Sequence, residues 1–287
     1  MRISIVLFIF TSLFLFSCQK EVDFAVSSGN NGGGNGGNTP GTLLVKTVET
    51  SASDSIVTLF SYDANKRLIN EKATGINQGS AVDQEFRVYR NASGIVTYFS
   101  IIDVDLIASG IDSLTTFVHY NTSSSRYTSS VLLVNTSSLS LADSNVYSFD
   151  ASGRINNVDN YEGVTGLNTY FLSGTEKYAY STGGNISQFD IIDIDQSGTV
   201  TPVGTTTYNY DNKPSPMHLD NEAIVLGLNQ WISPNNIVSG ALTNASDPAG
   251  NQTLTVNYTY NSDNKPTTSL RTILPDNTSI STAYYYQ

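Results

Sequence analysis

Tyr147-Ser148-Phe149-Asp150-Ala151-Ser152-Gly153-Arg154-Ile155 is the stretch whose reading decides the fold. Tyr147 and Phe149 stand two apart, so on a strand they share one face. Asp150 can bond its own backbone two residues on, which starts a turn. Gly153 takes a positive φ at little steric cost, as a three-residue hairpin loop with a bulge requires. Ile155 opens the return strand.

Variants of this unit recur along the chain. They are centred on Tyr62, Tyr89, Tyr120, Phe149, Tyr180, Tyr210 and Tyr260, with steps of 27, 31, 29, 31, 30 and 50 residues. Leu68, Ile95, Ile155, Ile186 and Pro266 each stand six positions after their aromatic. A period near thirty with one supersecondary unit per repeat marks a repeat architecture. At about 3.3 Å per residue it holds two strands and two turns. The expected fold is all-β: a large antiparallel meander of repeated β-hairpins, twisted or partly curled. Ser281 to Gln287, with Tyr284, Tyr285 and Tyr286, reads as one more first strand with no turn after it.

Ser61-Tyr62-Asp63-Ala64-Asn65-Lys66-Arg67-Leu68-Ile69 and Phe149 to Ile155 resemble the tyrosine-aspartate, RHS-type repeat. From about Leu43 to Gln287 the chain is similar to a group of Bacteroidota lipoproteins carrying such hairpins. In that group a Tyr-Asp-Asn-Lys-Pro stretch precedes a Ser-x-Asn-Asn stretch; here these are Tyr210–Pro214 and Ser233–Asn236. The Tyr120 copy departs from the pattern, with Ser123, Ser124 and Ser125 where Gly or Asn is expected. The resemblance brings no catalytic residues to transfer.

The N-terminal residues read as an address. Arg2 precedes an apolar run from Ile3 to Phe16. Fourteen residues are short for a membrane span, which needs about 20, and suit a secretory signal peptide over 1–17. Leu15-Phe16-Ser17-Cys18 resembles a lipobox, with Cys18 as the lipidated residue and Phe16 bulkier than usual. A lone cysteine forms no disulfide within the chain. Lys20, Glu21 and Asp23 resemble the signal that sends such lipoproteins to the cell surface. Residues 18–42 are the expected tether, since Ser27 to Gly41 is too rich in Gly and Asn to bury a core. Fifteen such residues span about 20–25 Å root-mean-square. The expected location is the outer membrane, lipid-anchored and surface-exposed, with stable anchoring from more than one acyl chain.

Residues 43–287 are long enough for one β domain with its own core. The chain has 25 acidic and 14 basic residues, a net charge of −11. That excludes nucleic acid as a partner, since phosphates demand basic patches. Seventeen tyrosines against one tryptophan suit half-buried strand faces, where the ring packs and the hydroxyl reaches water. They have a second reading as exposed rings for a glycan or an envelope protein. Ser130 to Val134 is a continuous apolar run, expected to be buried on both faces.

The fifty-residue step contains about 20 extra residues. Within it a short helix or packed loop is expected near 219–231, with Asp220 as N-cap and Glu222 in the first turn. It would cover an apolar sheet face, unless the sheet curls onto itself.

Asp193, Asp195 and Ser197, followed by Gly198, match the start of a Ca²⁺ loop, but position twelve is Gly204 rather than Glu. The competing reading is a strand that ends in a hairpin turn at Asp195–Gly198. Paired strand carboxylates could also serve a hydrolase. His119 and His218 are too few for a metal site, and no Gly-x-Ser-x-Gly nucleophile context occurs. Asp54-Ser55-Ile56 and Asp112-Ser113-Leu114 resemble an O-glycosylation motif of exported Bacteroidota proteins, with Ser55 and Ser113 as acceptors. The sequence points first to a non-catalytic binding or structural envelope module. A hydrolase using strand carboxylates and a carrier of an apolar ligand are the alternatives.

Overall fold

A computed structural model describes residues 43–135, 140–164 and 169–287; the expected signal peptide, Cys18 and the expected tether lie outside them. The strands are β1 Leu44–Thr50, β2 Ser55–Tyr62, β3 Leu68–Asn77, β4 Ser80–Arg90, β5 Val96–Asp103, β6 Leu114–Asn121, β7 Arg126–Asn135 and β8 Ser140–Phe149. They continue with β9 Ile155–Val164, β10 Thr169–Tyr180, β11 Ile186–Ile194, β12 Val200–Pro214, β13 Asn235–Asn244, β14 Gln252–Tyr260, β15 Pro266–Leu274 and β16 Thr278–Tyr286. Each pairs antiparallel with its sequence neighbours, and β1 pairs with β16, closing a barrel. The expected meander is therefore present and curls fully onto itself. At the seam Leu43 and Gln287 exchange both backbone hydrogen bonds, 3.2 and 2.9 Å.

The repeated turn works as its residues dictate. Asp150 N–H donates to Arg154 O (2.9 Å) and Gly153 N–H to Asp150 O (3.0 Å). Asp150 Oδ1 accepts from the N–H of Ser152 and Arg154, and its Oδ2 accepts from Arg154 Nε. Gly153 has φ 83°. Lys66, Ser125 and Asn264 hold the left-handed position in other copies. The Tyr120 copy thus turns without Gly or Asn, because Asn121 Oδ1 accepts from the N–H of Ser123 and Ser124. A register shift follows at the same place in each hairpin, at Tyr62, Arg90, Tyr120, Phe149, Tyr180 and Tyr260. Because every copy joins an even-numbered strand to the next odd-numbered one, all these turns lie at one end of the barrel.

Side chains alternate between the interior and an outer wall. Phe60 faces Glu71, which faces Phe86, which faces Ile101, all inward. The outer positions are mostly polar: Asn70, Lys72 and Thr74 on β3, Thr205, Thr207 and Asn209 on β12, Thr253, Thr255, Asn257 and Thr259 on β14. Ser130 to Val134 follows the same alternation. Leu132 is buried and Leu133 is 40% exposed, so the run faces both ways rather than being buried on both faces, because only the inner surface of a barrel wall is covered.

Residues 215–234 leave β12 at the turn end and fold back into the barrel as a plug. Ser215 N–H bonds Pro234 O (2.8 Å), and Leu219 N–H bonds Trp231 O (2.9 Å), closing the segment on itself. It carries the helix Asn221–Val225 and a 3-10 turn Asn229–Trp231, within the expected 219–231. Met217, Ala223, Ile224, Val225, Leu226, Leu228 and Ile232 join one core with Phe60, Val88, Phe99, Val118, Tyr147 and Tyr178. Full burial of each larger apolar side chain contributes about 1.5–3 kcal/mol. Asp220 stands at the N-cap position but makes no capping bond; its φ is 47° and its Oδ1 meets His218 Nε2 at 2.9 Å. The plug instead satisfies backbone groups that the bulges leave unpaired. Asn221 Oδ1 accepts from Ile155 N–H and Ser233 Oγ from Ile186 N–H, while Val96 N–H bonds the Tyr127 hydroxyl.

Candidate functional site: an acidic cup

Sixteen strands enclose more space than wall side chains fill, and the plug occupies only the turn end. Asn229 and Gln230, at its inner tip, remain exposed, and Asn229 bonds the inward hydroxyl of Tyr178. Water therefore reaches the plug from the opposite, open end. The barrel is a cup with the plug as its floor.

Inward positions, counted from the floor toward the mouth, change in character. The first layer holds Tyr62, Arg90, Tyr180 and Tyr210 around the plug. Tyr62 and Tyr180 donate from their hydroxyls to Leu44 O (2.6 Å) and Ile155 O (2.7 Å), so the repeated tyrosine is a clamp between hairpins. The second layer is mostly aromatic, with Glu71 opposite Phe60. In the third, Glu49, Glu176 and Arg271 stand at inward positions opposite Thr282, Val158 and Val256. In the fourth, Asp143 faces Glu162, Asp103 faces Gln84 and Asp193 faces Gly174. Toward the mouth, seven inward carboxylates thus share the cup with Arg271.

The carboxylates resist ionisation. Burial, with Glu49 close by, pushes Glu71 up to about 7. Burial, then Glu162, pushes Asp143 up to about 6. Burial raises Glu49 against the opposing pull of Arg271, and raises Glu176 against hydrogen bonds from Tyr178 and Asn160. Desolvation leads in each case. Outer-wall charges pair locally instead, Arg87 with Glu85 (2.8 Å) and Lys72 with Asp83 (3.4 Å).

The two ends differ in charge. The described open-end connections 51–54, 77–80, 104–113, 195–199, 245–251 and 275–277 carry Asp54, Asp105, Asp112, Asp195, Asp247 and Asp276 and no Lys or Arg. The turn end mixes both signs, Lys66, Arg67, Arg126, Arg154, Lys213 and Lys265 with Asp63, Asp150, Asp211, Asp220, Glu222 and Asp263, and Arg67 and Arg154 pair with Asp63 and Asp150 at 2.7 Å. Arg126 and Arg154 lie over the rings of Phe149 and Tyr180, at 4.8 and 4.4 Å.

The structure separates the residues suggested by the sequence. Asp193 points into the cup, while Asp195 lies in the turn at the open end. Asp195 Oδ1 accepts from Ser197 N–H, Ser197 Oγ and Thr199 N–H, and these bonds hold its carboxyl below the usual range. Asp195–Gly198 is thus a hairpin turn whose central carboxylate oxygen is already occupied. No group of three or more His, Cys, Asp or Glu able to hold a metal occurs among the described residues. Ser55 and Ser113 are exposed at the open rim. His119 is exposed on the outer wall. The outward aromatic row Tyr89–Tyr98–Phe117 packs ring on ring, with Tyr89 and Tyr98 stacked at 4.2 Å and 14°, so their faces serve each other before any sugar. Of the seven cup acids, only Asp193 stands out in the sequence as a candidate. The available signal was parity: Glu71 shares its strand face with Ala73, Glu176 with Tyr178, and Asp143 with Tyr147.

No protein-family model matches the chain, and no curated protein matches its sequence. Among solved structures it is similar to two crystallised porin-like proteins. One, from Bacteroides vulgatus ATCC 8482, is 12% identical with a TM-score of 0.56, covering 86% of this chain and 99% of that one. The other, from Bacteroides uniformis ATCC 8492, is 10% identical with a TM-score of 0.52, over 86% and 99%. At such identity the likeness is one of fold.

Proposed function

We propose that this chain is a lipid-tethered, non-catalytic binding module of the cell envelope that displays the mouth of an acidic cup. One observation carries the reading: β1 begins at the plugged end of the barrel. A tether over 18–42, lipidated at Cys18, joins the barrel there, so the floor lies toward the membrane and the mouth away from it. The outer wall supports anchoring over spanning. Lipid-spanning barrels are apolar outside and polar within, whereas this outer wall mixes Thr, Asn, Lys and Asp with scattered exposed apolar side chains such as Leu59, Phe117 and Leu270, and the plug half of the interior is apolar. An apolar-ligand carrier fits less well, because the open half of the cup is lined by carboxylates.

The test uses the full-length chain in its native envelope, with Cys18→Ala alongside it. The native chain is expected to partition with detergent and the variant with water. A native chain found in the aqueous phase overturns the tether. Photo-crosslinkers at Val200 on the mouth and Asn264 on the floor test the orientation, with capture of envelope partners expected from Val200 alone. Equal capture from both positions sinks it.

A second reading has one observation in its favour. Glu71 and Glu49 lie close enough in the cup to interact, and burial pushes Glu71 up to about 7, a range in which a carboxyl can serve as a general acid. A hydrolase here would rest on these residues rather than on Asp193 and Asp195. Glycan hydrolysis abolished by Glu71→Gln would favour it.

A further inference from the structure

Exposed large apolar side chains are scattered singly over the outer wall, as at Leu59, Phe117 and Leu270, and gather at the open rim, but are absent from the opposing turns among the described residues. Ile76 ends β3, Val104 and Ile107 lie on the helix Val104–Ala108, Tyr170 and Val200 lie at the starts of β10 and β12, and Leu274 ends β15. Each is between 38% and 59% exposed. An apolar crown around a charged mouth marks an interaction surface.

Building on the binding-module reading, we propose that this mouth takes a cationic, partly apolar polypeptide segment of a partner protein. Its Lys and Arg side chains enter the cup, and its apolar residues lie against Ile107, Tyr170, Val200 and Leu274. Charge complementarity selects this occupant. The mouth connections contribute six aspartates and no basic residue among those described, and the inward carboxylates below them face Arg271. A low-dielectric wall focuses that negative field along the barrel axis. A second, independent observation lies deeper. Glu71 Oε2 points into the cup, is sealed from solvent and takes no hydrogen bond. A buried unpaired carboxylate oxygen costs free energy that an entering cation relieves. An anionic glycan or anionic lipid meets repulsion here, and a purely apolar ligand leaves the acids unpaired. Cation entry favours the ionised form of Asp143 and Glu71, whose protons are held unusually high, so binding releases protons to the buffer.

The probe is a fluorescent twelve-residue peptide of alternating Lys and Leu, titrated with the full-length chain. A Glu/Leu peptide, spermine and Ca²⁺ serve as comparisons. The Lys/Leu peptide is expected to bind, to weaken steeply with salt, and to show calorimetric heats that vary with buffer ionisation enthalpy. Asp143→Asn with Glu162→Gln is expected to cut affinity at least tenfold, as is Ile107→Ser with Val200→Ser. Asp83→Asn with Glu85→Gln removes the same charge from the outer wall and is expected to leave affinity within twofold. Equal loss from the outer-wall pair means nonspecific attraction to an acidic protein and overturns the site. So does binding of the Glu/Leu peptide as tightly as its Lys/Leu counterpart. Binding of spermine or Ca²⁺ that the Lys/Leu peptide cannot displace assigns the cup to small cations and also overturns the proposal. Partner capture at Val200 in cells without any binding of the Lys/Leu peptide overturns only this inference and leaves the binding module standing.

Discussion

Arg90 on β4 grips Glu222 of the plug through both edges of its guanidinium group, Nη1 to Oε1 at 2.9 Å and Nη2 to Oε2 at 2.8 Å. The two residues are 132 positions apart in the chain. Tyr127 donates to the same carboxylate at 2.9 Å and accepts from Val96 N–H. The Arg90 side chain is only 5% exposed and also donates to Leu68 O and Gly94 O. One cation therefore ties two turns of the barrel to the plug that floors it.

Removing one partner leaves a nearly buried charge unmatched. Arg90→Ala is expected to cost about 2–4 kcal/mol, the lower bound allowing for the partial exposure of Glu222. Urea denaturation checks it. A double-mutant cycle with Glu222→Gln should return a coupling energy well above zero; simple additivity would mean that plug and wall are held by the apolar core alone.

The interior acids make stability pH-dependent. Burial and Glu49 raise Glu71 from its ordinary 4.5 to about 7, so the folded state holds a proton that the unfolded state has released between those values. The contribution is full below about pH 4.5 and is lost as pH rises through 7. Glu71→Gln should therefore be near neutral at pH 4 and should stabilise by roughly 2–3 kcal/mol at pH 8. Thermal melts at the two pH values decide it; equal effects at both would mean that the carboxyl is not buried.

Two glycines of the repeated turn separate strain from crowding. Gly153 has φ 83° with the nearest atom to an added Cβ at 3.4 Å, so Gly153→Ala carries conformational strain alone, about 1–2 kcal/mol. At Gly94, φ 84°, the added carbon would fall 1.1 Å from Arg67 Nη1. Arg67 must swing away, disturbing its 2.7 Å bridge to Asp63. Melting should rank Gly94→Ala as the more damaging; the reverse order would place Arg67 elsewhere in solution.

The hairpin clamp rests on a single hydroxyl. Tyr180→Phe keeps the ring under Arg154 and removes only the bond to Ile155 O, at an expected cost of about 1 kcal/mol. Hydrogen exchange at the start of β9 should quicken while distant strands stay unchanged. Unaltered exchange there would remove the clamp.

The turn chemistry was legible because it is local. Asp150, Gly153 and Ile155 dictate their hairpin without help from the rest of the chain, and the thirty-residue rhythm repeats it. The same locality hid the cup. Glu71 and Glu176 read as ordinary polar strand residues until the sheet closes and turns their parity inward. Glu222 read as a helix first-turn acid, and nothing near it in sequence points to Arg90.

The chain alone determined strands, turns, alternation and order, since each follows from contacts within a few residues. Tertiary structure decided whether the sheet stays open or closes, where the extra residues between β12 and β13 go, and which carboxylates face one another. Those outcomes depend on twist accumulated over sixteen strands and on an apolar segment finding the interior it fits, and no stretch of sequence carries either by itself.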